Sequence, residues 1–410
     1  MKYGLIGEKL SHSFSKEVHG KIATYDYELK EIAKEDLKGF ILSKDFLGLN
    51  VTIPYKSQVI PFLDEISSSA KKIGAVNTIV NKNGKLIGYN TDYDGAKLLI
   101  QKNGVSLKNK SVYILGSGGA SKTLSVVAKD LGAKEVFTVS RKGENGIDYA
   151  KLIEQAQNVQ VLINATPVGT YPNITDYPIN AKTFTNLKAV IDLIYNPLNT
   201  ELVLSAKEMG VKASGGLYML VAQAIYAYSY FFDTTFEQKS IDKIYGELLK
   251  EKQNVVLTGM PSCGKSTIGK ALAKKLASEF IDTDEEITKK YGKTPKDIIL
   301  SYGEEKFREL ESEIISELSK KTGLIIATGG GAVLRDENVK NLKRNGKIFY
   351  LEKDVNSLIT SDDRPLTSSK EDLLKIYEKR KDIYILSADE IIDANGEIEQ
   401  IIGKIIKEQV

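Results

Sequence analysis

Short runs of aliphatic and β-branched residues alternate along this chain with longer stretches whose apolar positions recur at helical spacing, the pattern of strands and helices taken in turn. The clearest strands are Ser111-Val112-Tyr113-Ile114-Leu115, Glu135-Val136-Phe137-Thr138-Val139, Val161-Leu162-Ile163 and Ala189-Val190-Ile191-Asp192-Leu193. Such alternation predicts a parallel, doubly wound α/β fold. A second series opens at Asn254-Val255-Val256-Leu257-Thr258 and continues through Leu324-Ile325-Ile326-Ala327-Thr328 and Lys347-Ile348-Phe349-Tyr350-Leu351. Between the two, a charged stretch from about Asp233 to Gln253 keeps Ile241, Ile244, Leu248 and Leu249 at helical spacing, which predicts a terminal helix running into a linker at 241–253. Residues 1–102 hold strands and helices of their own but no glycine fingerprint, whereas the next segment opens as strand, Gly116-Ser117-Gly118-Gly119-Ala120-Ser121, then helix. The expected layout is a substrate domain at 1–102, completed by a helix at about 220–245, a Rossmann-like dinucleotide domain at 103–240, and a further α/β domain with a parallel sheet at 254–410. Internal repeats and low-complexity tracts are absent from the sequence.

Length agrees with this division, since 410 residues exceed one ordinary core at about 100 to 200 residues per domain. Hydrophobic content of 42% with 27% charged residues describes a soluble globular protein, because disordered chains lack the apolar residues that offset ordering entropy. The net charge of +3 is the small difference of 57 basic and 54 acidic residues without a long basic run, so neither nucleic acid nor a membrane surface is an expected partner. No apolar run approaches the roughly 20 residues that span a bilayer. The start, Met1-Lys2-Tyr3-Gly4-Leu5-Ile6-Gly7, reads as a strand rather than a signal sequence, and a cytoplasmic location is expected. The single cysteine, Cys263, cannot form an internal disulfide, and with two histidines, His12 and His19, little remains for zinc ligation. Chemistry therefore falls to Lys, Asp, Arg and bound cofactors. Either a monomer or a homodimer is compatible with these features.

A strand ending in Gly116-x-Gly118-x-x-Ser121 lets the backbone turn tightly and approach a pyrophosphate, whose charge meets the amides and positive end of the following helix. At the end of the next strand an NAD-using enzyme would usually place an acidic residue against the ribose, but here stand Ser140-Arg141-Lys142, which suit a 2′-phosphate and hence NADP. Upstream, Ser11-His12-Ser13-Phe14-Ser15 puts hydroxyls just before a helix, where one serine serves equally well as an N-cap. Gly48-Leu49-Asn50-Val51-Thr52-Ile53-Pro54-Tyr55-Lys56 takes a strand into a proline turn that projects Lys56, and Asn90-Thr91-Asp92 supplies a carboxylate.

In order and spacing, Ser13-x-Ser15, Asn50-Val51-Thr52-Ile53-Pro54-x-Lys56, Gly74-Ala75-Val76-Asn77-Thr78 and Asn90-Thr91-Asp92 resemble the shikimate dehydrogenase family. The likeness continues through Asn164-Ala165-Thr166-Pro167-Val168-Gly169, Asp192-Leu193-Ile194-Tyr195-Asn196-Pro197 and Gly216-Leu217-Tyr218-Met219-Leu220-Val221-Ala222-Gln223, across roughly the first 250 residues. It implies that Ser13, Ser15 and Thr52 hold the substrate carboxylate end, that Asn77, Asp92 and Gln223 bind ring hydroxyls, and that Tyr195 helps close the site. Cofactor contacts are implied at Gly116, Gly118, Gly119, Ala120, Ser140, Arg141, Lys142, Asn164, Thr166, Gly216 and Met219. Hydride transfer at a secondary alcohol needs a group to give or take the hydroxyl proton, and Lys56 with Asp92 is the expected pair. Val168, Thr170 and Tyr218 depart from the family pattern around the nicotinamide.

Gly259-Met260-Pro261-Ser262-Cys263-Gly264-Lys265-Ser266 after a strand is a full Walker A loop, with amides for phosphate, Lys265 for the β and γ groups and Ser266 for Mg²⁺. Gly259, Ser262, Cys263, Gly264, Lys265, Ser266 and Thr267 are therefore expected at ATP, with Cys263 a small filler rather than a redox group. Asp282 and Asp284 alternate near a strand end, one within reach of the Mg²⁺ shell, for which Asp282 is chosen, the other of an acceptor hydroxyl; Arg308 and Glu311 share a helix face, and Gly329-Gly330-Gly331 lets a ligand approach backbone amides. With Arg364-Pro365-Leu366 and Arg380-x-x-x-Tyr384 added, residues 254 to 410 resemble shikimate kinase. That resemblance implies Arg308, Arg380 and Gly329 to Gly331 around the carboxylic acid substrate, Asp284 at its reacting hydroxyl, and Arg364 entering from a lid onto the transferred phosphoryl group. The stretch 354–363 lacks the second basic residue that the family often has, so weaker ATP affinity is expected, measurable as an ATP KM above the family's range. Two further readings compete: a dehydrogenase accepting quinate, and a kinase half that serves as a nucleotide sensor for the dehydrogenase.

Overall fold

The computed structural model describes residues 1–10, 14–143, 146–358 and 369–409. The chain divides into two compact units, Met1–Leu248 and Leu249–Val410.

The first unit holds two sheets. One is six-stranded and mixed, built from β1 (Tyr3–Gly7), β2 (Tyr27–Glu31), β3 (Gly48–Val51), β4 (Glu65–Ile66), β5 (Thr78–Lys82) and β6 (Lys85–Tyr89) in the order β2-β1-β3-β5-β6-β4. Its β1, β2 and β3 run parallel, while β5 is antiparallel to β3 and to β6. The other contains β7 (Ser111–Leu115), β8 (Glu135–Val139), β9 (Val161–Asn164), β10 (Ala189–Asp192) and β11 (Lys212–Ser214) in the order β11-β10-β9-β7-β8, all parallel. Strands β9 and β10 are buried along their whole length, which explains why they read as unbroken apolar runs in a sheet covered on both faces.

The Leu217–Phe232 helix is apolar nearly all round, as a helix enclosed by its neighbours must be. It leaves the second sheet and returns to the first, where Phe231 and Ala227 join Leu5, Leu10, Tyr27 and Val80 in one core. It also lies against the Thr91–Lys102 helix, and this contact brings the substrate-side residues of both together. The stretch 241–253, expected as a terminal helix running into a linker, is helical as far as Lys252. Helix Gln238–Lys252 buries Ile241, Ile244 and Leu248, three side chains each contributing about 1.5 to 3 kcal/mol when removed from water, and Tyr245 meets the Tyr218 ring edge-on.

The second unit is a parallel sheet of β12 (Asn254–Thr258), β13 (Glu279–Asp282), β14 (Leu324–Ala327), β15 (Gly346–Glu352) and β16 (Glu390–Asp393) in the order β13-β14-β12-β15-β16. Apolar clusters cover both of its faces. Strand β12 sits at its centre, so the loop that follows it opens at the carboxyl edge, where parallel α/β sheets hold their ligands. Among the described residues, no helix is long and apolar enough to cross a membrane.

Candidate active sites

The first cleft has a volume of about 780 Å³ and is lined from both sheets of the first unit. Strand β3 ends at Val51, and the chain passes through Thr52, Ile53 and the cis-linked Pro54 to Lys56. The Val76 N–H donates to the Lys56 carbonyl at 2.7 Å and so pins this turn. Asp92 lies in the first turn of the Thr91–Lys102 helix, whose Asn90 cap accepts the Tyr93 N–H at 3.2 Å. A carboxylate is favoured at that positive helix end. Lys56 Nζ donates to Asp92 Oδ2 at 2.6 Å, with side chains 17% and 10% exposed, so the pair faces the cleft while shielded from bulk water. Asn77 is tied to the same helix end, its Oδ1 accepting the Thr91 N–H at 2.7 Å and its Nδ2 donating to Thr91 Oγ1 at 3.0 Å. Ser15 opens the Ser15–Ile22 helix and is buried at the cleft wall, with Thr52 and Gln223 also lining it. Tyr195 reaches the Phe14 ring, centroid to centroid 5.2 Å.

On the cofactor side, Ala120, Thr166, Gly216 and Met219 line the cleft. Gly116, Gly118 and Gly119 form the turn between β7 and the Gly119–Asp130 helix, and Lys56 Cδ lies 3.6 Å from where a Gly119 side chain would begin. Ser140, Arg141 and Lys142 follow β8, the strand hydrogen-bonded to β7. Arg141 and Lys142 are exposed beside the glycine turn's neighbouring strand, and Ser140 Oγ is buried without a hydrogen-bond partner among the described residues. Two cations and a spare hydroxyl fit a dinucleotide's 2′-phosphate, and the glycine turn fits its pyrophosphate. Asn164 differs from expectation. It is fully buried behind the cleft wall, donating to Asp192 Oδ1 at 3.0 Å while accepting Thr166 Oγ1 at 2.7 Å. Burial pushes the Asp192 carboxyl up to about 6.

The second cleft, of about 580 Å³, is lined by Ser262, Gly264, Lys265, Ser266, Thr267, Asp282, Asp284, Arg308, Gly329, Gly330, Gly331 and Arg380. Its phosphate loop runs from β12 into the Lys265–Leu276 helix through positive φ at Gly259 (140°), Ser262 (67°) and Gly264 (101°), which turns successive amides inward as a concave anion cradle. Lys265 Nζ donates to the Gly259 and Met260 carbonyls, each at 2.9 Å. Ser266 Oγ donates to Asp282 Oδ2 at 2.6 Å, two oxygens of the hard type that Mg²⁺ prefers. Asp282 also caps the Thr283–Tyr291 helix by accepting the Asp284 N–H. Of the loop residues expected at ATP, Gly259 and Cys263 are not among the described residues that line the cleft, and Cys263 is in the apolar core.

Arg308 donates from Nη1 to Glu311 Oε2 at 2.7 Å and from Nη2 to Glu304 Oε1 at 3.1 Å. Burial raises the Glu311 carboxyl above its ordinary range, the Asp284 charge adding to this and Arg308 opposing it. Arg380 Nη1 donates to the Gly330 carbonyl at 3.1 Å, and Tyr384 Oη to the same oxygen. Residues absent from the expectation also line the two clefts: Asn50, Lys9 and Tyr171 in the first, Thr294, Lys296 and Ile299 in the second. Asn50 stood inside a motif that pointed to Lys56, whereas Lys296 carried no sequence signal. Ser13 and Arg364 lie outside the described residues, as do the lid positions 359–363.

Two family models match the chain: the shikimate dehydrogenase substrate binding domain at residues 5–79 and shikimate kinase at residues 261–409. A shikimate dehydrogenase (NADP(+)) from Clostridium beijerinckii is 40% identical over 260 residues, covering 59% of this chain and 96% of the relative. The solved shikimate dehydrogenase 1 from Peptoclostridium difficile superposes with a TM-score of 0.57 at 39% identity, over 60% of this chain and 98% of that one. The shikimate 5-dehydrogenase from Thermus thermophilus, solved in complex with NADP(H) and shikimate, gives a TM-score of 0.54 at 28% identity, covering 60% and 99%.

Proposed function

The chain belongs to the shikimate dehydrogenase family, and from that premise we propose that it reduces 3-dehydroshikimate to shikimate with NADPH and then phosphorylates shikimate with ATP and Mg²⁺. The observation that carries this reading is the pairing of two clefts for one small acid: Lys56 against Asp92 at 2.6 Å in the first, and Arg308 with Arg380 around Gly330, beside a phosphate loop, in the second.

In the first cleft, NADPH supplies the hydride when bound. Lys56 then gives a proton to the carbonyl oxygen as the alcohol forms, and Asp92 holds the ammonium in place and orients a ring hydroxyl. Ser13, Ser15 and Thr52 take the carboxylate end, while Asn77 and Gln223 fix ring hydroxyls. Tyr195, resting on Phe14, covers the substrate. Gly116, Gly118, Gly119 and Ala120 would hold the pyrophosphate, Ser140, Arg141 and Lys142 the 2′-phosphate, and Thr166, Gly216 and Met219 the nicotinamide end.

In the second cleft the shikimate hydroxyl attacks the γ-phosphorus, its proton passes to Asp284, and ADP leaves. Arg308 and Arg380 grip the carboxylate by charge-assisted hydrogen bonds, with the amides of Gly329 to Gly331 beside it. Lys265, Ser262, Gly264 and Thr267 surround the phosphates, Ser266 and Asp282 would hold Mg²⁺, and Arg364 would neutralise charge on the group in flight.

The test supplies 3-dehydroshikimate, NADPH and ATP with Mg²⁺ together and follows nicotinamide absorbance alongside shikimate 3-phosphate. Both signals should change in sequence. ATP binding without shikimate-dependent ADP release would reject the kinase reading, and the sensor reading would then require Lys265→Ala to alter dehydrogenase kinetics.

A further inference from the structure

We propose that Asp192 is a positioning residue that fixes both cofactor-side walls of the dehydrogenase cleft. It ends β10 and is fully buried. Its Oδ1 accepts the Asn164 amide and the Ile194 N–H, each at 3.0 Å, and its Oδ2 accepts the Thr200 hydroxyl at 2.7 Å. Taking the amide end of Asn164 turns that side chain's carbonyl toward Thr166, whose N–H and Oγ1 both donate to it, at 3.0 and 2.7 Å. One carboxylate thereby ties down Ala165 to Pro167 on one wall and Leu193 to Tyr195 on the other, all of which line the cleft.

An ionised carboxylate accepts all three donors as charge-assisted hydrogen bonds, which are stronger than those to a neutral carboxyl or amide in the same place. An asparagine there could keep its carbonyl on Asn164 and Ile194 and turn its NH₂ to the Thr200 oxygen, but without the charge it would hold the Asn164 amide more weakly. The groups meeting Asp192 are Asn164 from β9, the Ile194 N–H beyond its own strand, and Thr200 at the start of the Glu201–Glu208 helix. None of them titrates, so the charge at this point is the aspartate's alone among the described groups that bond it. With its carboxyl lifted to about 6 by burial, mild acid should reproduce the asparagine variant.

This inference rests on the dehydrogenase reading of the first cleft. The experiment measures NADPH affinity by fluorescence, with KM and kcat, for the full-length wild type, Asp192→Asn and Thr200→Val. Asp192→Asn should weaken NADPH binding about tenfold, the equivalent of one charge-assisted hydrogen bond, with a smaller effect on kcat. Thr200→Val should lower the melting temperature and leave NADPH affinity unchanged, since Thr200 touches the oxygen that faces away from the cleft walls. The ratio of the two dissociation constants, variant to wild type, should be largest at about pH 8 and fall toward one below about pH 6, as the wild-type carboxyl protonates. The 2′-phosphate titrates in the same range, but equally in both proteins, and so cancels from the ratio.

Wild-type affinity in Asp192→Asn at about pH 8, or a ratio independent of pH, overturns the proposal. Should that variant not fold, Asn164→Ala cuts the same link while leaving Asp192 bonded to Ile194 and Thr200. Undiminished NADPH affinity in Asn164→Ala then overturns it equally. A wild type that binds NADPH but reduces no 3-dehydroshikimate would sink the dehydrogenase reading instead, and the affinity measurements would still decide the role of Asp192.

Discussion

Single atoms decide several properties of the two clefts. A methyl group at Gly329 would begin 2.4 Å from Glu311 Oε1 and 3.0 Å from Asp284 Oδ1, so the second cleft is shaped by the lack of a side chain there. Glu311 cannot retreat, because it is fully buried and its other oxygen accepts Arg308. Gly329→Ala should therefore cost about 1 to 3 kcal/mol of overpacking and abolish shikimate-dependent ADP release while the dehydrogenase rate is kept; retained kinase turnover would contradict the geometry. His19 acts through protonation rather than size. It is buried against the Tyr27 ring at 3.8 Å, and burial lowers its pKa to about 3. The folded chain then declines a proton that the unfolded chain accepts below about pH 6.5, so the stability His19 allows is complete above that value and is lost as pH falls toward 3, by about 2 kcal/mol at pH 5. Asp192 works in the opposite sense, because its raised pKa lets the folded state take up a proton first as pH falls through about 6. The difference between wild type and His19→Phe isolates the histidine: denaturant titrations of the first unit should show the gap in pH dependence between pH 7 and 5, and parallel curves would refute it.

At the scale of elements, periodicity located strands well because buried parallel strands are uniformly apolar. Strands β7, β8 and β12 have the limits that their apolar runs give, β9, β10 and β14 differ by a residue at one end, and β15 extends one residue further at each end. Charge, not periodicity, suggested a linker within 241–253, and the helix continues to Lys252. Helical spacing of Ile241, Ile244 and Leu248 was the better guide, since three apolar side chains on one stripe require a surface to cover them. Ile241→Ala should destabilise the first unit by about 2 to 4 kcal/mol, seen as a lower denaturant midpoint, whereas a true linker residue would leave the midpoint unmoved. For the clefts, residues carried by motifs were legible: Lys56, Asp92, Asn77, Lys265, Arg308 and Arg380 all line the cavities. Asp192 was visible only as part of a longer run, because a buried acceptor that acts through Asn164 has no spacing rule of its own. Tyr218, a departure from the family pattern around the nicotinamide, turns its hydroxyl to Asp242 at 3.0 Å, and Lys102 donates to the same oxygen at 2.8 Å. A large side chain at that position is thus accounted for by the Gln238–Lys252 helix rather than by the cofactor.

For the molecule as a whole, each unit holds the described residues of its own cleft. The proton couple, the glycine turn and the cofactor walls of the first cleft all come from residues before Leu248, and the phosphate loop, the carboxylates and the arginines of the second all come after it. The two activities should therefore be separable by single substitutions. Lys56→Ala removes the proposed proton donor from one cleft, and loss of a positioned general acid lowers the rate by about a hundredfold to ten-thousandfold. Shikimate supplied directly should still be phosphorylated at the wild-type rate. Lys265→Ala removes the ammonium proposed to meet the β and γ phosphates, and should stop phosphorylation while 3-dehydroshikimate is reduced as before. Mixing the two variants in one vessel with 3-dehydroshikimate, NADPH and ATP should restore shikimate 3-phosphate, because free shikimate can leave one molecule and enter another. If the mixture produced none although each variant kept its remaining activity, the intermediate would have to pass within a single chain, and the independence of the two clefts would be wrong.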